Sequence, residues 1–261
     1  MESWRLLQAL RQHDAATLRQ FVPWAFTGEP VAFMAGRFVR VEAGWPEWLA
    51  EGMIRLSDLS ERPKDASRWV VGKNENGRTV SVGLNDRTPH YLVSGATGSG
   101  KSVALRNALL QLSRHHENRL VLLDGKYGES LRLVEHLPGV VGPVAVEGPE
   151  VRAALGWACQ EMRLRYENGH AGRVVVAFDE FQEFVGDPVI VALMKRIAAQ
   201  GRGAGVHLLA ATQHPTVDAF GDPAVRRNLT GKLALMVADA DFWAGLEPVL
   251  KEYASDGEAI S

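Results

Sequence analysis

The sequence predicts an α/β fold, with a mainly parallel sheet covered by helices on both faces. Five short apolar runs carry the prediction: HYLVS (90–94), RLVLL (119–123), RVVVAF (173–178), VHLLAA (206–211) and KLALMV (232–237). They are near-continuous in Val, Leu and Ala rather than alternating, as strands buried on both faces are. Helical stretches at 101–115, 128–136, 149–167 and 187–200 separate them, the order expected of crossover-connected parallel strands. Composition agrees. At 46% hydrophobic and 23% charged over 261 residues, the chain suits one large domain with a small extension.

Taken from the start, residues 3–22 suggest one or two amphipathic helices. Leu6, Leu7 and Leu10 share a face, Leu18, Phe21 and Trp24 follow, and Arg5, Arg11 and Arg19 lie opposite. VAFMAGRFVRV (31–41) suits a strand or hairpin arm, and EWLAEGMIRLSDLS (47–60) a helix. SERPKDAS (60–67) is a charged linker with a proline, so a small, mostly helical N-terminal region is placed at 1–66 and the main domain at 67–261. RWVVGKNENGRTVSVGL then suits a hairpin, because the Asn-Gly of NENG favours a tight turn.

The net charge of −2 lacks the strongly basic footprint of a simple nucleic-acid binder, although a groove or ring lumen can be basic on a neutral protein. A single cysteine, Cys159, allows neither an internal disulfide nor a cysteine-based metal cluster, and its helical setting suits core packing. The first twenty residues are too charged for a secretory segment, and no run approaches the ~18 apolar residues of a membrane span. The expectation is a soluble, cytoplasmic protein, virion association being compatible with it.

Chemistry concentrates at strand ends. Gly95-Ala96-Thr97-Gly98-Ser99-Gly100-Lys101-Ser102 is a P-loop between an expected strand and an expected helix. Its glycines let backbone N–H groups approach phosphate, and the helix N-terminus adds positive potential. Lys101 is expected to reach the β- and γ-phosphates of ATP, and Ser102 to ligate Mg²⁺. VVVAFDEF ends in Asp179 and Glu180, where α/β sheets bind ligands. Asp179 is expected to hold Mg²⁺ and Glu180 to deprotonate the attacking water, tandem acids favouring repeated ATP hydrolysis. Gln213, in LLAATQHP, ends another apolar run, where it could touch the γ-phosphate or the water. Arg202, in QGRGAGVHL, is a candidate finger offered to a neighbouring subunit, a device worth ~10³–10⁵ in rate.

Together PHYLVSGATGSGKSVALRNALLQL, LLDGK, LGWACQEMRLRY, VVVAFDEF and RIAAQGRGAGVHLLAATQHPTVD resemble the motor domain of FtsK/SpoIIIE-type DNA translocases, within the FtsK–HerA superfamily of P-loop ATPases. The resemblance runs from about Trp69 to about Phe242. Its most specific parts are the helix with Trp157, Glu161, Met162, Arg165 and Tyr166, and the GRGAGVHL–ATQHP block. It implies a RecA-like core, a hexameric ring, and double-stranded DNA moved through the channel by ATP hydrolysis. Lys101, Ser102, Asp179, Glu180 and Gln213 keep the family's roles in this comparison. Asp124 matches a D-P-K strand end with glycine in place of proline, and Asn228 and Lys232 fall where asparagine and arginine are usual. Residues 1–66 precede the stretch that carries the resemblance and are assigned to linking or docking, with a membrane or a capsid or portal partner as candidates.

DNA contact is weakly marked. Arg226 and Arg227, in DPAVRRNL, are candidates, as are Lys195 and Arg196; ordinary solvated or intersubunit charge is the competing reading for each pair. The leading expectation is an ATP-driven DNA translocase serving a plasmid, conjugative element or virus, in DNA transfer or genome packaging. The alternative is a nucleotide-gated assembly or adaptor ATPase that never moves DNA.

Overall fold

The computed structural model describes residues 63–73, 78–213, 216 and 218–235, and the backbone of 33–34 and 37–38. The helices expected within 3–22 and 47–60, the NENG turn and the end of the last apolar run lie outside the described residues. Phe33–Met34 (β1) pairs antiparallel with Arg37–Phe38 (β2), so the arm expected at 31–41 contains a hairpin. Arg68–Lys73 (β3) and Thr79–Gly83 (β4) form a second antiparallel hairpin, bulged between Val70 and Gly72.

The main sheet is built from the five apolar runs. They become Tyr91–Gly95 (β5), Arg119–Asp124 (β6), Val174–Asp179 (β7), Val206–Thr212 (β8) and Gly231–Leu235 (β9), all parallel, in the order β6-β7-β8-β5-β9. Alternate residues of each strand enter opposite cores. Val174, Val176 and Phe178 pack on one face beneath Gly148–Asn168 (α2), Pro188–Gln200 (α3) and Pro223–Asn228 (α4). Val175 and Ala177 pack on the other, beneath Lys101–Leu112 (α1) and the β3–β4 hairpin with Trp69, Val82 and Leu84. Burial on both faces is what a near-continuous apolar run requires.

Polar side chains finish what the ladders leave open. At the β3 bulge, Gln111 of α1 accepts from the Val70 N–H (2.9 Å) and donates to its carbonyl (3.0 Å), and Asn107 donates to the same carbonyl (2.9 Å). Asp187 and Asp222 cap α3 and α4 by accepting N–H groups, each followed by a proline at the first helical position.

The expectation of a helix at 128–136 is corrected: only a 3₁₀ turn at Arg132–Val134 forms. The buried Asp124 carboxylate accepts the N–H groups of Lys126 (2.8 Å), Ser130 (3.0 Å) and Leu131 (3.0 Å), folding the segment back on the strand end. Tyr127 and Gly128, at φ 55° and 84°, make the turn that a helix forbids.

Candidate functional site

The strand order brings the sequence-marked residues together. β8 lies between β5 and β7, so Gln213, just past β8, stands between the P-loop after β5 and the acids ending β7. This is the rim where the chain's path reverses and α/β sheets bind ligands. The Thr97 hydroxyl donates to Gln213 Oε1 (2.6 Å), and Gln213 Nε2 donates to Glu180 Oε1. One glutamine thus joins the loop to the acid.

The P-loop turns through Gly98 and Gly100, at φ 78° and 93°, and Gly100 is the left-handed cap from which α1 begins. Lys101 is the first helical residue. Its Nζ donates to the carbonyls of Gly95 (2.9 Å) and Ala96 (3.1 Å), folded onto its own loop. Burial pushes its ammonium below the usual lysine range, against the pull of Glu180 and Asp179. The Ser102 hydroxyl donates to Asp179 Oδ2 (2.7 Å).

Asp179 is fully buried, and its Oδ1 has no protein partner. Burial raises its pKa, opposed mainly by the hydrogen bond from Ser102. A buried, half-satisfied carboxylate touching a P-loop hydroxyl fits Mg²⁺, which takes a few hard protein oxygens and completes its octahedron with phosphate and water. Among the described residues no cluster of three or more His, Cys, Asp or Glu offers another metal site.

Glu180 sits in the left-handed region at φ 49°; it and Tyr127 are the non-glycine residues with positive φ among those described. Such backbone is unfavourable for a side chain and collects at functional sites. Its carboxylate accepts from Gln213 and from Gln182 (2.7 Å), and Lys126 Nζ lies 3.3 Å from Oε1. Burial works to raise its pKa, but the two amide bonds and the charges of Lys101 and Lys126 outweigh it, and the carboxyl lies below its usual range. Lys126 is a site residue that sequence reasoning missed. The LLDGK block held it, but its contact is made across neighbouring strands, Asp124 standing in register with Asp179.

The remaining candidates lie elsewhere. Arg202 is exposed in the 3₁₀ turn Gly201–Ala204, which precedes β8, so it occupies the opposite rim of the sheet from the P-loop, 3.5 Å from the Asp86 carbonyl. Arg226 and Arg227 fall in the last turn of α4, before β9, on that same side. Lys195 is paired with Asp222 (2.8 Å), and Asn228 donates its amide to the Ala224 carbonyl (2.8 Å). Asp124 is occupied by backbone N–H groups, and its charge helps to raise the Asp179 pKa. Cys159 is buried as expected, and burial pushes its thiol up. No helix among the described residues is long and apolar enough to cross a membrane.

The FtsK/SpoIIIE family matches residues 56–174. The chain is 32% identical over 217 residues to the DNA translocase FtsK of Leptospira interrogans, covering 72% of this chain and 23% of that protein. It is 28% identical over 251 residues to the DNA translocase SpoIIIE of Bacillus subtilis, covering 78% and 32%. The chain therefore spans about a quarter to a third of the curated relatives it matches. Among solved structures, the pCW3 conjugation coupling protein TcpA, in its monomer form with ATPγS, superposes with a TM-score of 0.57 at 22% identity. That match covers 66% of this chain and 55% of that one, and it shows a RecA-like P-loop fold.

Proposed function

We propose that the chain carries a motor core of the FtsK/SpoIIIE type, which hydrolyses ATP at seams between copies of itself and uses the energy to move double-stranded DNA. The observation that supports this most is Glu180, a strained carboxylate kept ionised between Gln213 and Lys126, one residue from the half-satisfied Asp179. Backbone N–H groups of the P-loop and the α1 N-terminus would receive the triphosphate. Lys101 would exchange the Gly95 and Ala96 carbonyls for phosphate oxygens. Mg²⁺, held through Ser102 and Asp179, would supply charge neutralisation on the phosphoryl oxygens. Glu180 takes a proton from water as the water oxygen bonds to the γ-phosphorus and the bond to the bridging oxygen breaks. Gln213, already touching both Thr97 and Glu180, is placed to report the γ-phosphate to the acid.

Arg202 lies on the rim away from its own P-loop, so its proposed role is in trans, toward a neighbour's nucleotide in a ring. Arg226 and Arg227 are the proposed DNA-facing pair, and residues 1–66 a linking or docking region. For the cellular task we keep the expectation of DNA transfer or packaging for a plasmid, conjugative element or virus; loss of either process in a Lys101→Ala strain tests it.

The direct test is ATPase rate with and without duplex DNA, together with electron microscopy in a non-hydrolysable ATP analogue. Stimulation by DNA and a closed ring around a duplex are expected. Turnover indifferent to DNA, with the protein solitary under every nucleotide condition, refutes the motor and favours the adaptor.

A further inference from the structure

The helix ending LRY and the loop GRGAG are the most specific blocks of the sequence, and the chemistry above leaves the first of them unexplained. They meet in space. Tyr166, near the end of α2, donates its hydroxyl to the Gln200 carbonyl (2.6 Å), at the entrance to the Arg202 turn. Its ring lies against Gly203: a Cβ added there would sit 2.6 Å from the phenol oxygen. Yet Tyr166 is 56% exposed, so burial does not account for an aromatic ring at this place.

The surroundings hold both partners still. Arg165, buried beside it, bonds Glu161 (2.8 Å) and the Gly172 carbonyl (3.2 Å), fixing the end of α2. On the loop side, a Cβ on Gly201 would meet the Val206 carbonyl at 2.1 Å, and the Gly205 carbonyl accepts from Val174 N–H (2.9 Å). Arg202 is thus the one long side chain of a turn clamped before and after it, and Tyr166 is the clamp supplied from another element.

We infer that Tyr166 is a positioning residue for Arg202, setting the turn so that the guanidinium projects toward a neighbouring copy's triphosphate. The inference rests on the trans reading proposed above. Tyr166 touches no reacting atom; it acts through the arginine, and Gly203 has no side chain so that the phenol can close on the turn.

The test is a double-mutant cycle in the full-length protein, reading kcat and KM for ATP with duplex DNA, and the unfolding midpoint. Tyr166→Phe keeps the ring and removes the bond to Gln200, and is expected to lower kcat about fivefold, the rate equivalent of one neutral hydrogen bond. KM and the midpoint should stay near those of the parent. Gly203→Ala, which pushes the phenol away while Tyr166 remains, should lower kcat in the same way. In an Arg202→Ala background, Tyr166→Phe should cost nothing further. An additive loss in that background, or parental kcat in Tyr166→Phe, overturns the inference alone. Parental turnover in Arg202→Ala itself overturns both the inference and the trans reading beneath it.

Discussion

Glu180→Gln is the substitution whose outcome the structure specifies most fully. The carboxylate accepts from Gln213, from Gln182 at 2.7 Å, and faces Lys126 at 3.3 Å. An amide keeps the shape and the left-handed backbone but has one acceptor where there were two, and no basic oxygen. A positioned general base contributes about 10²–10⁴ in rate, so kcat should fall by that factor, roughly 3–5 kcal/mol of barrier. Nucleotide binding should persist, because Lys101, Ser102 and Asp179 are unchanged. Folding stability should drop by only about 1–2 kcal/mol, less than a lost charge-assisted bond inside a core, since Gln182 can turn its amide and Lys126 is half-exposed to water. Steady-state ATPase with duplex DNA, beside equilibrium binding of a fluorescent ATP analogue, reads both quantities. Turnover within about threefold of the parent would refute the base assignment, whatever the binding.

Ser102→Ala removes a hydroxyl 2.7 Å from Asp179, and should weaken Mg²⁺-dependent nucleotide binding while leaving the fold intact; titration of Mg²⁺ at fixed ATP measures it. Gln111→Ala orphans the Val70 N–H in the core while Asn107 still serves its carbonyl, and should cost about 2 kcal/mol, read as a lower denaturation midpoint at unchanged slope. Acid should also destabilise the protein through two buried histidines. Burial pushes His90 down to about 4 and His207 to about 3, against 6.5 when unfolded. The unfolded chain therefore binds more protons below pH ~6.5, and stability falls as pH drops from there toward the folded values, by up to ~1.4 kcal/mol per unit for each ring. Urea midpoints at pH 7, 6 and 5 check this, and a His207→Gln protein should show a shallower decline.

Apolar runs and tight motifs were legible because their signals are local. VVVAF has to be buried on both faces, and the P-loop glycines announce a phosphate turn without any tertiary knowledge. The segment 128–136, expected to be helical, is instead held by Asp124, which captures its N–H groups from a strand end, a competition that periodicity does not register. α4 was missed although Asp222-Pro223 is an N-cap followed by a first-turn proline; its six residues are too short to show a period. Lys126 beside Glu180 and Tyr166 on Gly203 depend on which strands and helices become neighbours. That is a property of the sheet order, not of any one block.

The P-loop occupies one edge of a one-directional sheet and Arg202 the other, so the proposed trans role requires copies to meet with unlike edges together. On the trans proposal, a two-fold pair meets this by lying antiparallel, each copy lending to the other across one self-complementary seam. A head-to-tail succession meets it as well, each copy lending to the next. In an unclosed file the last member always lacks a donor, and joining the ends supplies it.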